Sequence, residues 1–317
     1  MASDAATVDV EGRRLRLSNL DKVLYPSIGF TKGEVIDYYS RVAPVLLPHL
    51  ADRPVSLHRW PDGVAGQGFW DKDASRHAPD WLRVVRLPSP GSSSGSDEVG
   101  YAILDGLPAL VWAANLAGLE LHIPQWTLGP RGGRRVPDLL VFDLDPGAPA
   151  TVVECARVAE AVRDVLAADG FDCVVKSSGS KGLQVYARVS VPHAGRTSEY
   201  ARHLAEHLAD RWPAEVVATM AKARRSGKVL VDWSQNNPAK TTVAPYSLRG
   251  RAEPTVSTPV SWEEVARCRE PEDLMFGVDD VLERISRSGD LFGVLYGERA
   301  GGRRRLPARP RLQNRKR

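Results

Sequence analysis

The chain is 317 residues long, 43% hydrophobic and 26% charged, with a formal net charge of +4. It contains no run of about 18 apolar residues and no basic-then-apolar N-terminus, so we expect a cytoplasmic protein that is neither secreted nor inserted in a membrane. The three cysteines are odd in number and widely spaced, which predicts buried thiols and argues against disulfides or a zinc site.

The basic residues are concentrated at the C-terminus. Residues 303–317 contain eight Lys or Arg and no acid, which leaves a net charge of about −4 on the first 302 residues. Two glycines, two prolines and no apolar periodicity predict a disordered cationic tail over residues 300–317, after a catalytic domain over residues 1–299. Such a tail suits phosphate backbones, although a merely solubilising role is the alternative.

Hydrophobic periodicity and turn residues divide the chain into strands and helices. Strands are predicted, in chain order, over residues 8–17 (as a hairpin), 55–60, 99–104, 139–142, 172–177, 183–189 and 228–233. Helices are predicted over residues 31–50, 109–121, 151–168, 200–212, 214–225 and 279–287. The first helix starts at a capping box formed by Thr31 and Glu34. Residues 88–95, rich in Ser and Gly, are predicted to be a flexible loop.

Adjacent aromatic residues and two lysines in the first part of the chain suggest contacts with nucleic acid. Phe69 and Trp70 are adjacent, and adjacent residues of a strand face opposite ways, so at least one of the two rings should face solvent. That ring either stacks on a base or is an ordinary surface aromatic. Lys22 and Lys32 flank the helix start at Thr31. A helix N-terminus beside lysines suits a phosphate, although solvated lysines near a cap are common.

Two acids directly follow a strand that should be buried. Leu139–Phe142 is apolar, and Asp143 and Asp145 come next, before a Pro-Gly stop. Alternate residues of a strand share a face, so the two carboxylates lie on one face, roughly 7 Å apart along the chain, with Leu144 in the core. Two carboxylates held about 4 Å apart would repel each other by roughly 4 kcal/mol. A divalent cation would relieve that repulsion; the alternative is two acids that cap the turn or face water.

Small residues and hydroxyls fill the predicted turn over residues 177–182, Ser-Ser-Gly-Ser-Lys-Gly. Its glycines allow backbone N–H groups to face an anion, and Lys181 adds a positive charge. The segment is not a P-loop, which needs Gly-x-x-x-x-Gly-Lys-Ser/Thr before a helix, and hairpin turns of similar composition are common.

A third acid, Asp232, ends another β-branched strand. Three carboxylates that bind two divalent ions about 4 Å apart are the usual apparatus for in-line displacement at phosphorus. The sequence therefore favours a two-metal site of Asp143, Asp145 and Asp232. A polar run over residues 234–251 follows and ends in arginines able to contact phosphate, although a surface loop is the alternative.

Several ordered blocks resemble the polymerase domain of bacterial ligase D, within the archaeo-eukaryotic primase superfamily. The matching blocks, which span roughly residues 15–295, are Asn19–Pro26, Arg59–Gly63, Leu121–Trp126, Phe142–Gly147, Ser178–Leu183, Val231–Gln235, Lys240–Thr242 and Tyr246–Arg251. The resemblance implies a single α/β (α+β) catalytic unit in which two β-sheets, flanked by helices, form a central cleft. Because the adenylation motif Lys-x-Asp-Gly of a ligase is missing from the sequence, we expect a stand-alone primase-polymerase or an isolated domain.

The resemblance also implies templated transfer of nucleotides onto a primer 3′-OH, with two Mn²⁺ or Mg²⁺ ions, NTP or dNTP substrates and a preference for ribonucleotides. Asp143 and Asp145 would hold both ions, and Asp232 the ion that activates the 3′-OH. The implied contacts to the nucleotide are Asn19, His58, Phe69, Trp70, His122, Ser178, Lys181, Gln184, Gln235 and Arg249. Lys22 and Lys32 would bind the 5′-phosphate across a gap, and Arg225 the template end.

Two positions depart from the family pattern. Gln184 follows Leu183 where the family usually has histidine, and His58 lies where it often has lysine. Glutamine can donate a neutral hydrogen bond but carries no charge, so we expect retained activity with altered nucleotide affinity. The contact of His58 with the triphosphate is expected to be weaker.

We therefore expect an enzyme that fills short gaps at DNA breaks or in excision repair, associated with the nucleoid. Its expected partners are gapped or broken DNA with a 5′-phosphate, nucleoside triphosphates, and separate ligase and end-binding proteins, without a membrane. A metal-dependent nuclease is an alternative, because carboxylates with two cations also cleave phosphodiesters. A third hypothesis is a non-catalytic module that binds DNA ends.

Overall fold

The computed structural model describes residues 5–88, 98–296 and 303–312. Its helices are α1 Lys32–Leu50, α2 Leu107–Asn115, α3 Val152–Ala168, α4 Arg196–Arg211, α5 Trp262–Arg267 and α6 Val278–Ser288. Its strands are β1 Ala5–Val10, β2 Arg13–Ser18, β3 Val23–Tyr25, β4 Phe30–Thr31, β5 Ser56–Arg59, β6 Phe69–Asp71, β7 Val84–Pro88, β8 Glu98–Ala102, β9 Gly118–Ile123, β10 Trp126–Leu128, β11 Arg134–Pro137, β12 Leu139–Pro146, β13 Cys173–Ser177, β14 Leu183–Ser190, β15 Val216–Val217, β16 Val229–Asp232, β17 Thr242–Val243, β18 Pro259–Val260 and β19 Arg304–Arg305. The mixed α/β class is confirmed. Among the described residues, no helix is long and apolar enough to cross a membrane.

The chain forms two compact units, each built from segments distant in sequence. Unit 1 comprises Met1–Arg134, Val243–Val256 and Gly277–Arg287, and unit 2 comprises Arg135–Thr242, Ser257–Phe276 and Ser288–Arg317. The single catalytic domain expected over residues 1–299 stays a prediction. The loop expected over residues 88–95 lies, apart from its first residue, outside the described part of the chain.

Unit 1 is organised around the antiparallel strands β9, β5 and β6. Cross-strand pairs set Glu120 of β9 and Trp70 of β6 on either side of His58 of β5. Helices α1 and α2 pack together in this unit. The expected capping box of α1 is confirmed, since Thr31 and Glu34 exchange both of its hydrogen bonds.

Unit 2 contains a sheet in the order β15-β16-β12-β14-β13-β18. The two faces of β12 have different neighbours. Phe142 and Leu144 are buried in a core with α3 and α4, whereas Val141 packs in a smaller cluster with Phe292. Asp143 and Asp145 follow Val141 on that second face, because side chains alternate along a strand. The expectation that Leu144 points into the core is confirmed.

Two predicted helices were partly or wholly wrong. The helix expected over residues 109–121 ends at Asn115, and β9 occupies residues 118–123. Ala117 between them has φ of 55°, a left-handed conformation that stops a helix. The helix expected over residues 214–225 is absent from the described structure, because Val216–Val217 pair with β16 as a parallel strand. That pairing buries apolar side chains and outweighs local helix propensity.

The predicted disordered tail is wrong for residues 303–312, which form part of unit 2. Arg304 of β19 pairs with Val189 of β14, and Leu306 is 3% exposed in the unit 2 core. The backbone N–H of Arg311 donates to the Asp169 carboxylate at 3.1 Å. An apolar anchor and a buried acceptor therefore hold a segment whose composition alone favours disorder. Residues 300–302 and 313–317 lie outside the described part of the chain.

Candidate active site

Three carboxylates come together in unit 2. Strands β12 and β16 pair antiparallel with Asp143 opposite Asp232, and Asp145 lies two residues farther along the same face of β12. One ligand oxygen from each acid lies within 4.8 Å of the others. The strand register thus brings together acids that are far apart in sequence.

The electrostatics of this group suit a cation. Burial, together with the negative charges of Asp145 and Asp232, raises the pKa of Asp143 to about 7. A hydrogen bond from Gln184 acts in the opposite direction. Three oxygen ligands whose negative charges repel one another fit a hard divalent ion such as Mg²⁺ or Mn²⁺.

Gln184 lies beside these acids. It follows Asp232 and Asp143 in a row of directly paired residues that crosses the sheet from β16 through β12 to β14. Strand register sets it opposite Asp143 on one side and opposite Lys176 on the other. Its Nε2 donates to Asp143 Oδ1 at 2.9 Å, and its Oε1 accepts from Lys176 Nζ at 2.6 Å and from Tyr186 Oη at 3.1 Å. Gln184, expected to contact the nucleotide, is thus 4% exposed and oriented by buried neighbours.

Asp232 is held by the turn that follows β16. Its Oδ1 accepts the N–H of Ser234 at 2.9 Å, and its Oδ2 accepts Gln235 Nε2 at 2.8 Å. Asn236 fastens this turn to β12 through two hydrogen bonds with the backbone of Val141. The polar run after Asp232 therefore includes residues that orient a carboxylate, as well as surface positions.

The turn over residues 178–182 closes on itself. Ser178 Oγ accepts the N–H groups of Ser180 at 3.2 Å and Gly182 at 3.1 Å. The N–H of Gly179 donates to the hydroxyl two positions earlier. The N–H groups of Gly179, Ser180 and Gly182 thus already donate within the turn, and an anion contact here stays a prediction. Lys181 is exposed.

A second group of predicted residues surrounds Glu120 in unit 1. Glu120 Oε2 lies 2.8 Å from His122 Nε2 and 3.6 Å from His58 Nδ1. Its Oε1 accepts Arg249 Nε at 3.1 Å and the N–H of Gly250 at 3.0 Å. One buried carboxylate thus joins three residues that the sequence predicted as nucleotide contacts.

The charge of Glu120 is stabilised by these neighbours. Burial would raise its pKa, but hydrogen bonds from His122 and His58 and the guanidinium of Arg249 together hold the pKa well below its usual value. Burial lowers the pKa of His122, although Glu120 opposes that effect. The pair is therefore a carboxylate with a neutral imidazole near neutral pH.

Both adjacent aromatics of β6 are exposed, Phe69 at 45% and Trp70 at 49%. Trp70 stacks on His58 with ring centroids 4.4 Å apart and planes at 8°. The guanidinium of Arg59 lies 5.2 Å from the ring centroid of Phe69. The expectation of at least one solvent-facing ring is confirmed, and each ring is backed by a polar neighbour.

Three of the remaining predicted contacts already have hydrogen-bond or ion-pair partners. Asn19 is exposed with φ of 53°. Lys22 Nζ pairs with Asp62 at 2.9 Å, and buried Lys32 Nζ donates to the Ser18 carbonyl at 2.6 Å. Arg225 in unit 2 donates to the Met220 carbonyl at 2.6 Å. Their roles in binding DNA stay predictions.

Sequence reasoning missed Glu120 and Lys176. Glu120 lies two residues before His122, so alternation along a strand would have set both on one face. Assigning residues 109–121 to a helix hid that relationship. Lys176 precedes the turn at residues 178–182, and within the sequence itself nothing distinguishes it from a solvated strand residue; in the structure it is fully buried.

Comparisons with known proteins identify the family of the chain. The model of the family described as LigD, primase-polymerase domain, matches residues 31–292. The chain is 43% identical over 283 residues to the multifunctional non-homologous end joining protein LigD of Mycolicibacterium smegmatis, covering 89% of this chain and 36% of that protein. It is 44% identical over 285 residues to the Mycobacterium tuberculosis LigD, covering 88% of this chain and 36% of that protein. The chain thus spans about a third of the length of these relatives.

A solved structure is similar over almost its whole length. The polymerase domain from Mycobacterium tuberculosis ligase D, in complex with DNA, superposes with a TM-score of 0.82 at 42% sequence identity. The alignment covers 89% of this chain and 98% of that domain.

Proposed function

The chain belongs to the LigD primase-polymerase domain family, and from that premise we propose that it is a templated nucleotidyltransferase. It would extend a primer 3′-OH across short gaps at DNA breaks. The observation that carries this proposal is the meeting of Asp143, Asp145 and Asp232 within 4.8 Å on paired strands.

The three carboxylates would hold two Mn²⁺ or Mg²⁺ ions. When bound, such ions neutralise phosphate charge and make the attacking hydroxyl more acidic. Gln184 would keep Asp143 oriented, while Ser234 and Gln235 would do the same for Asp232. Fixed ligands lower the reorganisation needed during transfer.

Several of the predicted residues would contact the nucleotide. In unit 1, His58, His122 and Arg249 would contact the triphosphate, Asn19 would assist, and the exposed rings of Phe69 and Trp70 would stack on bases. In unit 2, Lys181 would supply a charge for the phosphates. Ser178 would contribute by donating its hydroxyl hydrogen to a phosphate oxygen, since the hydroxyl oxygen already accepts two N–H groups.

DNA with a gap would be recognised through its 5′-phosphate. Lys22 and Lys32 would bind that phosphate, and Arg225 would contact the template end. Binding requires Lys22 to exchange Asp62 for a phosphate oxygen, at little cost because that ion pair is largely exposed. The similarity to a polymerase domain in complex with DNA supports this role.

The finer features follow the family resemblance. We propose a preference for ribonucleotides, cooperation with separate ligase and end-binding proteins, and association with the nucleoid. We also propose a role in end joining, which the names of the relatives support.

Primer extension tests the proposal. Gapped DNA with and without a 5′-phosphate would be incubated with Mn²⁺ and either NTPs or dNTPs. Extension that is faster with the 5′-phosphate is expected, and equal rates would refute the assigned role of the lysines. Incubation of labelled DNA without nucleotides distinguishes a polymerase from a nuclease, because only a nuclease shortens the strand. Absence of extension by both the wild type and Asp143→Ala would instead indicate a non-catalytic end-binding module.

A further inference from the structure

We infer that Glu120 is a positioning residue whose carboxylate orders His122 so that nucleotide binding is accompanied by uptake of a proton on that imidazole. The inference rests on the proposed function, in which His122 and Arg249 contact the triphosphate. It adds a residue that does not itself touch the substrate.

The carboxylate is placed to act on several ligands at once. Glu120 is 4% exposed, and its two oxygens divide their partners. Oε2 faces His122 and His58, while Oε1 faces Arg249 and the N–H of Gly250. Because one oxygen serves the histidines and the other the arginine, the orientations of the two predicted phosphate contacts are coupled through a single side chain.

The backbone around Glu120 is also fixed. Tyr39 Oη donates to the Leu119 carbonyl at 2.7 Å and accepts the N–H of Leu248 at 3.1 Å. Ser247 Oγ accepts the N–H of Leu121 at 2.9 Å. These bonds tie the segment that carries Arg249 to β9, so the position of Glu120 does not depend on its own hydrogen bonds.

The hydrogen bonds of the His122 imidazole determine how many protons the ring must carry. A carboxylate only accepts hydrogen bonds, so the His122 nitrogen that faces Glu120 carries the ring proton. In the neutral ring the other nitrogen is an acceptor, and phosphate oxygens are acceptors too. A hydrogen bond from His122 to a phosphate therefore requires a second proton on the ring.

The charged groups around His122 set when that proton arrives. Glu120 lies on its own strand, His58 on β5 and Arg249 on the segment after β17. Burial lowers the pKa of His122, Arg249 and His58 lower it further, and Glu120 alone raises it. An arriving triphosphate adds negative charge beside the ring, and the carboxylate on its far side favours the doubly protonated form.

Titration calorimetry tests the coupling without turnover. A nucleoside triphosphate is titrated into the DNA-free protein with Mn²⁺, at slightly alkaline pH, in buffers of different ionisation enthalpy. The wild type should take up roughly one proton per nucleotide bound. Glu120→Gln, which keeps the shape and loses the charge, should abolish most of that uptake and weaken binding by roughly tenfold. Lowering the pH should restore its affinity, which a merely structural role would not predict.

Two variants complete the design. His122→Asn should also lose the uptake, and it decides the matter if Glu120→Gln does not fold. Glu11→Gln, an exposed position in unit 1, should behave as wild type. Wild-type binding without proton uptake, or uptake unchanged in Glu120→Gln, would overturn the inference while leaving the proposed function intact. Failure of the wild type to bind any nucleotide would overturn both.

Discussion

Lys176 Nζ lies 2.6 Å from Gln184 Oε1, with both side chains buried. An ammonium only donates, so this contact fixes which end of the amide is oxygen and directs the Gln184 Nε2 toward Asp143. Ser257 Oγ provides a second acceptor for the lysine at 2.6 Å. Gln184 is thus part of a hydrogen-bonded row that ends at a carboxylate.

Gln184→His should retain polymerase activity but change nucleotide KM by roughly tenfold, the scale seen when the partner of a metal ligand is altered. One histidine tautomer can donate toward Asp143 and accept from Lys176, but it lacks the second acceptor that Tyr186 uses now. Steady-state extension kinetics would measure this effect. Unchanged kcat and KM would contradict a special role for glutamine here.

Asp143→Asn should abolish extension while making the metal-free protein more stable by about 1–3 kcal/mol. The substitution removes one charge from three crowded carboxylates, and the asparagine oxygen can still accept from Gln184. Chemical denaturation with a chelator present would measure stability. Glu11→Gln, also the removal of one negative charge, is the control and should leave stability unchanged. A destabilised Asp143→Asn protein would mean that the acids do not repel one another in the absence of metal.

Binding of a 5′-phosphate should weaken as the pH rises through about 8. Burial, together with the positive charges of Lys22 and Arg59, lowers the pKa of Lys32 from 10.5 to about 8. Below that pH the ammonium is charged and can bind phosphate; above it the amine is neutral. Binding of gapped DNA with and without the 5′-phosphate, followed across this range, should show the loss only for phosphorylated DNA, and Lys32→Met should remove the difference.

The lowered pKa of Lys32 has the opposite effect on stability: without DNA, a rise in pH should stabilise the fold. Between pH values of about 8 and 10.5 the unfolded chain binds the Lys32 proton and the folded chain does not. The contribution of Lys32 to the free energy of unfolding therefore rises with pH in this window. Lys32→Met should flatten that part of the stability profile, and an unchanged profile would contradict the lowered pKa.

Deletion of residues 303–317 should lower the free energy of unfolding by about 2–4 kcal/mol, because it uncovers the site of Leu306 and removes the N–H that Asp169 accepts. Deletion of residues 313–317 alone is the matched control and should leave stability unchanged. Thermal unfolding of both proteins measures the difference. Equal melting temperatures would show that residues 303–312 do not contribute to the core.

Local signals in the sequence predicted most of the secondary structure that supports the site. The α1 cap, the β12 strand and the shared face of Asp143 and Asp145 depend on neighbours a few residues away, so pattern reasoning reached them. Val216 was misassigned because its conformation depends on pairing with Val229. Pairing across the sheet is not encoded in a short window.

The parts of the site that escaped prediction depend on distant partners. Glu120 meets Arg249 across 129 positions of sequence, and Lys176 meets Ser257 across 81. Neither partner can be chosen from composition or spacing. A buried charge is recognised only once the fold shows which groups compensate it.

The row that crosses the unit 2 sheet, Asp232, Asp143, Gln184 and Lys176, belongs to four separate strands but occupies one level of the hydrogen-bond ladder. A shift of β14 or β16 by a single residue would turn its member of the row to the opposite face. One inserted residue within a strand would therefore separate the members of this row, whereas an insertion in a connection that carries none of the proposed contacts would leave the row intact. The site therefore depends first on the register of its four strands.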